Sequence, residues 1–150
     1  MDAEILAIGT ELLMGETVDT NSAYLAARLP PLGITLHHTR LLRDRMEEMV
    51  PALREALARS DLVLVTGGLG PTEDDLTREA IAETLEETVT QDQDLVEQME
   101  ALFRGRGGTL SAGNLKQAGR IPSATALANP LGTAPGWWVE KDGRIIATMP

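Results

Sequence analysis

A chain of 150 residues, 43% of them hydrophobic, with a net charge of -10 from 13 basic and 23 acidic side chains, has room for one full hydrophobic core. The acidic balance, with no basic patch, argues against nucleic acid as the main partner, and the absence of cysteine excludes disulfides and thiolate metal sites and suits a reducing compartment. No apolar run approaches the length of a membrane span, and Asp2 and Glu4 stand where a signal peptide carries Lys or Arg, so a cytoplasmic protein without membrane contact is expected.

Ile5 to Ile8 is a short apolar run that reads as a first strand ending at Gly9, followed by Thr10-Glu11-Leu12-Leu13. Asp19, Thr20, Asn21 and Ser22 are four successive capping side chains. They introduce a helix with Leu25, Leu29 and Leu32 at helical spacing, which Pro30, Pro31 and Gly33 should end. Thr35 to Leu42 reads as a second strand. His37 and His38 are neighbours in it and point to opposite faces, so they are structural rather than a joint metal site. Asp44 and Glu47 resemble a capping box with Asp in the Ser/Thr place. Met46, Met49, Val50, Leu53 and Leu57 share one helical face. Pro51 leaves two options, a kinked helix or one that starts near Val50.

Leu62 to Val65 is an apolar run of the kind buried on both faces of a parallel sheet. Gly67, Gly68 and Gly70 follow Thr66 and allow a turn with φ > 0 and close approach to a ligand. Thr72, Asp74 and Asp75 are helix-start residues, and Leu76, Ala80, Ile81 and Leu85 give the next helix its apolar face. A strand, a glycine turn and a helix N-terminus expose backbone N–H groups to an anion, most often phosphate. The turn lacks the Gly-Lys-Ser/Thr of a P-loop, and Glu73 stands where a dinucleotide fingerprint has its third glycine. Glu73, Asp74 and Asp75 would repel phosphate unless a divalent cation lay between them. A single acid here needs no role beyond capping the helix, but three acids after three glycines favour a metal-assisted phosphate site. A Cβ at Gly68 is expected to harm binding more than the fold.

The alternation of strand and helix argues for a parallel sheet with helices on both faces, which binds ligands beyond the carboxyl ends of its strands. The turns at Gly9-Thr10-Glu11, at Asp44 and at Gly67 to Asp75 would then meet in one cleft. Further on, Leu95, Val96, Met99, Leu102 and Phe103 form a helical core stripe, and Arg104 to Gly108 reads as a flexible loop. Ser111 to Ala118 reads as a short helix. On residue chemistry alone Asn114 caps it and Lys116 is solvated, against the reading in which Asn114 and Gln117 face the cleft and Lys116 meets a phosphate. Asn129 to Gly136, with two prolines and two glycines, reads as a rigid loop and a candidate second backbone cradle. Trp137 to Val139 pairs with Arg144 to Thr148 as a hairpin. Adjacent tryptophans face opposite ways, so at least one is expected to be partly exposed, with packing favoured over base stacking. The expected organisation is a single domain over 1–150, truncated at its C-terminal end because the chain stops at Met149-Pro150 straight after a strand.

Glu4 to Gly15, Asp19-Thr20-Asn21, Thr66 to Asp75 and Asn129 to Gly136 together resemble the N-terminal domain of the CinA family, named for competence- and damage-inducible proteins. The resemblance covers essentially the whole chain. It implies a molybdopterin-binding-like three-layer α/β/α sandwich with a mostly parallel sheet. It also implies a metal-dependent ADP-ribose pyrophosphatase, giving AMP and ribose 5-phosphate, with Mg, Mn or Co as the divalent ion. In adenylylating relatives the acids matching Asp44 and Asp75 matter for catalysis, and the turn matching Thr66, Gly67 and Gly68 helps form the ligand site. The expected metal and water-positioning groups are Asp44, Asp74 and Asp75, with Glu11 outside them. Gly9, Thr10, Glu11, Asn21, Thr66, Gly67, Gly68, Gly70 and Asn114 are the expected ligand contacts. The implied partner is a nucleotide-type small molecule, and the chain is expected to form a homo-oligomer. Two other readings remain: a pterin-phosphate binding or adenylyl-transfer module, and a non-catalytic regulatory or oligomerisation domain of a nicotinamide-nucleotide amidase. Family members usually continue past Met149-Pro150, many with an amidase domain, and amidase activity is not expected from these 150 residues.

Overall fold

Residues 1–150 are described by a computed structural model. The chain begins with β1 (Asp2–Ile8), α1 (Thr10–Leu13), α2 (Thr20–Arg28), β2 (Thr35–Leu42), α3 (Met46–Arg59), β3 (Leu62–Thr66) and α4 (Thr77–Leu85). It continues through β4 (Thr90–Gln91), α5 (Gln93–Gly105), α6 (Ala112–Leu115), β5 (Gly119–Arg120), β6 (Ala124–Leu127), β7 (Gly136–Lys141) and β8 (Arg144–Met149). Six strands form one sheet in the order β2-β1-β3-β8-β7-β6. The first four are parallel, and β7 and β6 run antiparallel at one edge. β4 and β5 make a separate two-stranded ribbon that the sequence pattern did not suggest.

Side chains alternate across the sheet and divide the core in two. Leu6, Ile8, Val63, Val65, Trp137 and Ile146 pack under α3 and α4, against Met49, Leu53 and Ile81. Ala3, Ile5, Leu62, Leu64 and Ala147 point the other way, to Leu25 and Leu29. Burying each large aliphatic side chain contributes about 1.5–3 kcal/mol, so both layers are needed to hold the sheet. β3 is buried at all five positions because it has strands on both sides and helices on both faces. The two tryptophans separate as their adjacency requires: Trp137 is fully buried on the α3 side and Trp138 half-buried on the other. With no surface open, Trp137 is a packing residue and offers no face to a base.

Several boundaries differ from the sequence reading. α2 stops at Arg28, because Pro30 and Pro31 have no N–H to continue the helical ladder, although Leu29 keeps helical angles; Pro30–Leu32 is a single 3-10 turn closed by Gly33 at φ 72°. α3 runs unbroken from Met46 through Pro51, so neither a start at Asp44 nor one near Val50 holds. α5 continues to Gly105, which makes Arg104 helical rather than part of a flexible loop. Its stripe of Leu95, Val96 and Met99 packs on Ala118, with Phe103, Leu115 and Ala126 beside it. The burial of that stripe explains why the helix persists past a polar start.

Candidate functional site

Parallel pairing puts the carboxyl ends of β2, β1 and β3 side by side: Ile8 lies opposite Leu42, and Ala7 opposite Thr66. Gly9 N–H donates to the Leu42 carbonyl at 2.9 Å, so the turns after β1 and β2 leave the sheet together. A cleft of about 750 Å³ opens there. Gly9, Thr10 and Glu11 line it after β1, Asp44 and Arg45 after β2, and Gly67, Gly68, Thr72, Asp74 and Asp75 after β3. Glu16 adds a fifth carboxylate, against the one basic group of Arg45. The three turns that the sequence placed on one edge do meet.

Asp44 is not a cap. α3 has Arg45 at its N-cap position, extended and without a side-chain hydrogen bond. Asp44 instead reaches across to the turn after β1, where its Oδ2 accepts from Thr10 N–H at 2.9 Å and Thr10 Oγ1 at 3.0 Å. This 34-residue contact is invisible to a local pattern, which sees only Asp44 and Glu47 three apart. Asp75 is not a cap either. α4 begins two residues later, behind Leu76, with no side-chain cap. The Asp75 carboxylate turns back on its own loop and accepts from Thr72 N–H at 2.9 Å and Thr72 Oγ1 at 2.6 Å. Burial pushes the Asp75 carboxyl up, but the Thr72 hydroxyl and N–H, the Gly70 N–H and the nearby Lys116 charge together hold it below the ordinary carboxylate range.

Gly67 and Gly68 sit at φ 88° and 64°, in the left-handed region. A Cβ on Gly67 would collide with the Ile8 carbonyl, and one on Gly68 with the Thr77 hydroxyl. The fold itself therefore requires both glycines, and a Gly68→Val change cannot be read as a pure binding defect. Thr77 supports the turn, donating from Oγ1 to the Gly67 carbonyl at 2.9 Å and from N–H to the Gly68 carbonyl at 3.1 Å. Gly67 N–H donates to the Met149 carbonyl at 3.0 Å, so it belongs to the sheet and is not offered to a ligand.

Two cations hold the turn from behind, and the sequence reading gave neither that part. Lys116, expected to be solvated or on a phosphate, donates to the Thr72 carbonyl at 3.1 Å and to the Asp75 carbonyl, and lies 3.4 Å from Glu79. Arg78 is buried, donating to the Leu69 carbonyl at 2.8 Å and the Pro135 carbonyl at 2.9 Å. Burial lowers its pKa to about 10, which leaves it charged at neutral pH. An arginine beside Ala80, Ile81 and Ala82 on the inward face of a helix was the available signal.

The remaining candidates lie elsewhere. Asn114 is committed to a reciprocal cap with Ser111, its Oδ1 accepting from the Ser111 hydroxyl at 2.6 Å, and is not in the cleft. Asn21 and Thr66 meet at 3.4 Å and line a smaller neighbouring cavity of about 140 Å³ with Tyr24, Leu25 and Met149. Gly70 lies against the Asp75 carboxylate. The 129–136 loop does not reach the cleft and lines a separate cavity of about 350 Å³ with α5, so its place as a second cradle there is lost.

No three acidic, histidine or cysteine side chains are gathered into a metal cage. Carboxylates on separate turns still fit a magnesium-like ion, which keeps waters and is bound through one or two carboxylates plus substrate phosphates. The carboxylates of Asp44 and Asp75 accept no hydrogen bond from a basic side chain, which leaves their negative charge for such an ion.

A family described as a probable molybdopterin binding domain matches residues 4–150. A CinA-like protein from Deinococcus deserti is 52% identical over 149 residues, 99% of this chain and 37% of that protein. The chain thus spans little more than a third of that relative's length. The crystal structure of the protein CinA from Thermoplasma acidophilum, described as of unknown function, superposes with a TM-score of 0.92 at 34% identity, over 99% of this chain and 87% of that one. A molybdopterin biosynthesis protein from Mycobacterium abscessus superposes with a TM-score of 0.62 at 16% identity, over 98% and 78% of the two chains, a likeness of fold alone.

Proposed function

Since the chain belongs to the CinA family, through a probable molybdopterin binding domain over residues 4–150, we propose that its cleft hydrolyses the pyrophosphate of ADP-ribose to AMP and ribose 5-phosphate with a divalent ion. The observation that carries this is the pair Asp44 and Asp75, two carboxylates on different turns of one cleft, each held by a threonine N–H and hydroxyl and by no cationic side chain. A pyrophosphate entering among five carboxylates needs a cation beside it. Asp44 and Asp75 would hold that ion, with Asp74 on the same cleft wall adding negative charge. When bound, it neutralises phosphate charge and lowers the pKa of an attacking water.

The chain's own groups have separate tasks. Thr10 and Thr72 fix the orientation of the two carboxylates, and an oriented carboxylate can take a proton from water without reorganising. Gly68, held at φ 64° with its Cβ direction filled by Thr77, presents its backbone to the cleft where a phosphate would lie. Glu11 adds negative charge at the rim.

The test is AMP release from ADP-ribose with Mg²⁺, Mn²⁺ or Co²⁺, repeated in excess chelator. Turnover should vanish on chelation and return with any of the three ions. Full activity in chelator sinks the metal reading, and no AMP under any condition sinks the pyrophosphatase. The second reading, a pterin-phosphate binding or adenylyl-transfer module, draws on the family's description and the fold shared with the Mycobacterium abscessus protein. It expects tight pterin binding and no AMP.

A further inference from the structure

Arg78 has a place in the molecule that packing alone does not explain. It is 1% exposed, lies 5.8 Å over the Trp137 ring and has no carboxylate in hydrogen-bonding contact. A buried charge is costly, and an apolar side chain of similar size is often equal or better for stability. What an apolar side chain cannot do is hold two carbonyl oxygens at a fixed spacing, which a planar guanidinium does. The two carbonyls belong to Leu69, inside the glycine turn, and Pro135, at the end of the 129–136 loop, segments far apart in the chain.

We propose that Arg78 is a positioning residue that locks the glycine turn to the 129–136 loop, so that the two form one rigid body and the turn keeps its ligand-binding shape. The lever is the planar trans peptide between Leu69 and Gly70. With its carbonyl drawn back to Arg78, its N–H faces the opposite way, toward the Asp75 carboxylate that packs against Gly70. The other half of the lock is preassembled by Asn129. Its Nδ2 donates to the Ala134 carbonyl at 3.0 Å, and its Oδ1 accepts from Leu131 and Gly132 N–H at 3.1 and 3.2 Å. A loosened 129–136 loop therefore moves Pro135, releases one arm of Arg78 and lets the Leu69–Gly70 peptide rotate. Asn129 lies outside the cleft but acts on it through Arg78.

The activity arm of the test rests on the pyrophosphatase reading; the spectroscopic arm does not. Arg78→Lys keeps the charge but has one ammonium head for two carbonyls. Asn129→Ala loosens the loop without touching Arg78. Each variant and the double variant is checked by thermal melting. The amide ¹H–¹⁵N resonances of Gly68 and Gly70 are then recorded, and kcat and KM are measured for ADP-ribose with Mn²⁺. Both single variants should move the Gly68 and Gly70 amides and lower kcat by about 10- to 100-fold, with KM changed far less, because misplaced groups cost most at the transition state. The double variant should be no worse than Arg78→Lys, since both break one connection. Unmoved turn amides in folded Asn129→Ala, or losses that multiply in the double variant, overturn the proposal. If Arg78→Lys does not fold, the Gly68 and Gly70 amides of Asn129→Ala decide alone. If the wild type releases no AMP, the pyrophosphatase reading fails and the amides still decide the role of Arg78.

Discussion

At the end of the sheet away from the cleft, Glu4 is wholly buried in β1 and takes two N–H groups of Arg59 at 2.5 and 2.9 Å, with the Ser60 hydroxyl at 3.0 Å. Asp61 is likewise met by Arg144 at 2.8 Å, and Glu87 by Lys141 at 2.9 Å. At the cleft end the carboxylates of Asp44 and Asp75 are held by neutral threonine donors, and two cations behind the turn, Lys116 and Arg78, bind backbone carbonyls instead. Charges at the far end are neutralised and serve the fold. Anions at the near end are oriented but left charged, which is of use only to a group that arrives from outside.

The sharpest test of that contrast is Asp75→Asn. The amide keeps the size of the carboxylate and an oxygen to accept from Thr72, so the loop and the melting temperature should stay near native. An amide supplies no charge to an ion and takes no proton, and loss of such a role costs on the order of 10²-fold or more in rate. AMP release by a folded variant decides; full activity would make Asp75 a loop brace and dissolve the contrast. Asp74→Asn belongs beside it, since Asp74 lines the same cleft.

Glu4→Gln should do the reverse, leaving ligand binding intact and lowering stability by roughly 1.5–3 kcal/mol, the range for a hydrogen bond to a charged group. Arg59's N–H groups, helped by Ser60 and set against the cost of burial, hold the Glu4 carboxyl below its ordinary value of 4.5. Its folded pKa is thus below the unfolded one, so this stability is complete above about pH 4.5 and drains as pH falls through the folded value. Denaturant melts across that range should show a steeper acid loss for the wild type than for Glu4→Gln. Equal slopes would mean the pair is idle.

The smallest effect is expected at Arg40→Ala. Its 2.7 Å contact with Glu55 lies on the surface, where an ion pair is worth about 0–1 kcal/mol. A melt shifted by several degrees would show that the fold depends on exposed pairs as well as on the buried one.

Much of this molecule was legible before folding. The apolar run at Leu62 to Val65, the capping cluster at Asp19 and the strand at Thr35 to Leu42 are local signals, and period and capping report local geometry directly. Gly67, Gly68 and Gly70 marked the turn, and the alternation of strand and helix placed the three turns on one edge. The family resemblance named the same acids. What the tertiary structure alone decided is what each side chain is used for. Asp44 looked like a cap because Glu47 stands three residues on, yet its partner, Thr10, lies 34 residues back on a neighbouring strand end. Asp75 looked like a cap because a helix follows, yet it closes its own loop. Glu4 and Lys116 carried no local signal at all, and Arg78 only its place on the apolar face of a helix. Their partners are set by strand order and by burial, and a buried charge takes whichever donor or acceptor the packed sheet brings within hydrogen-bond reach.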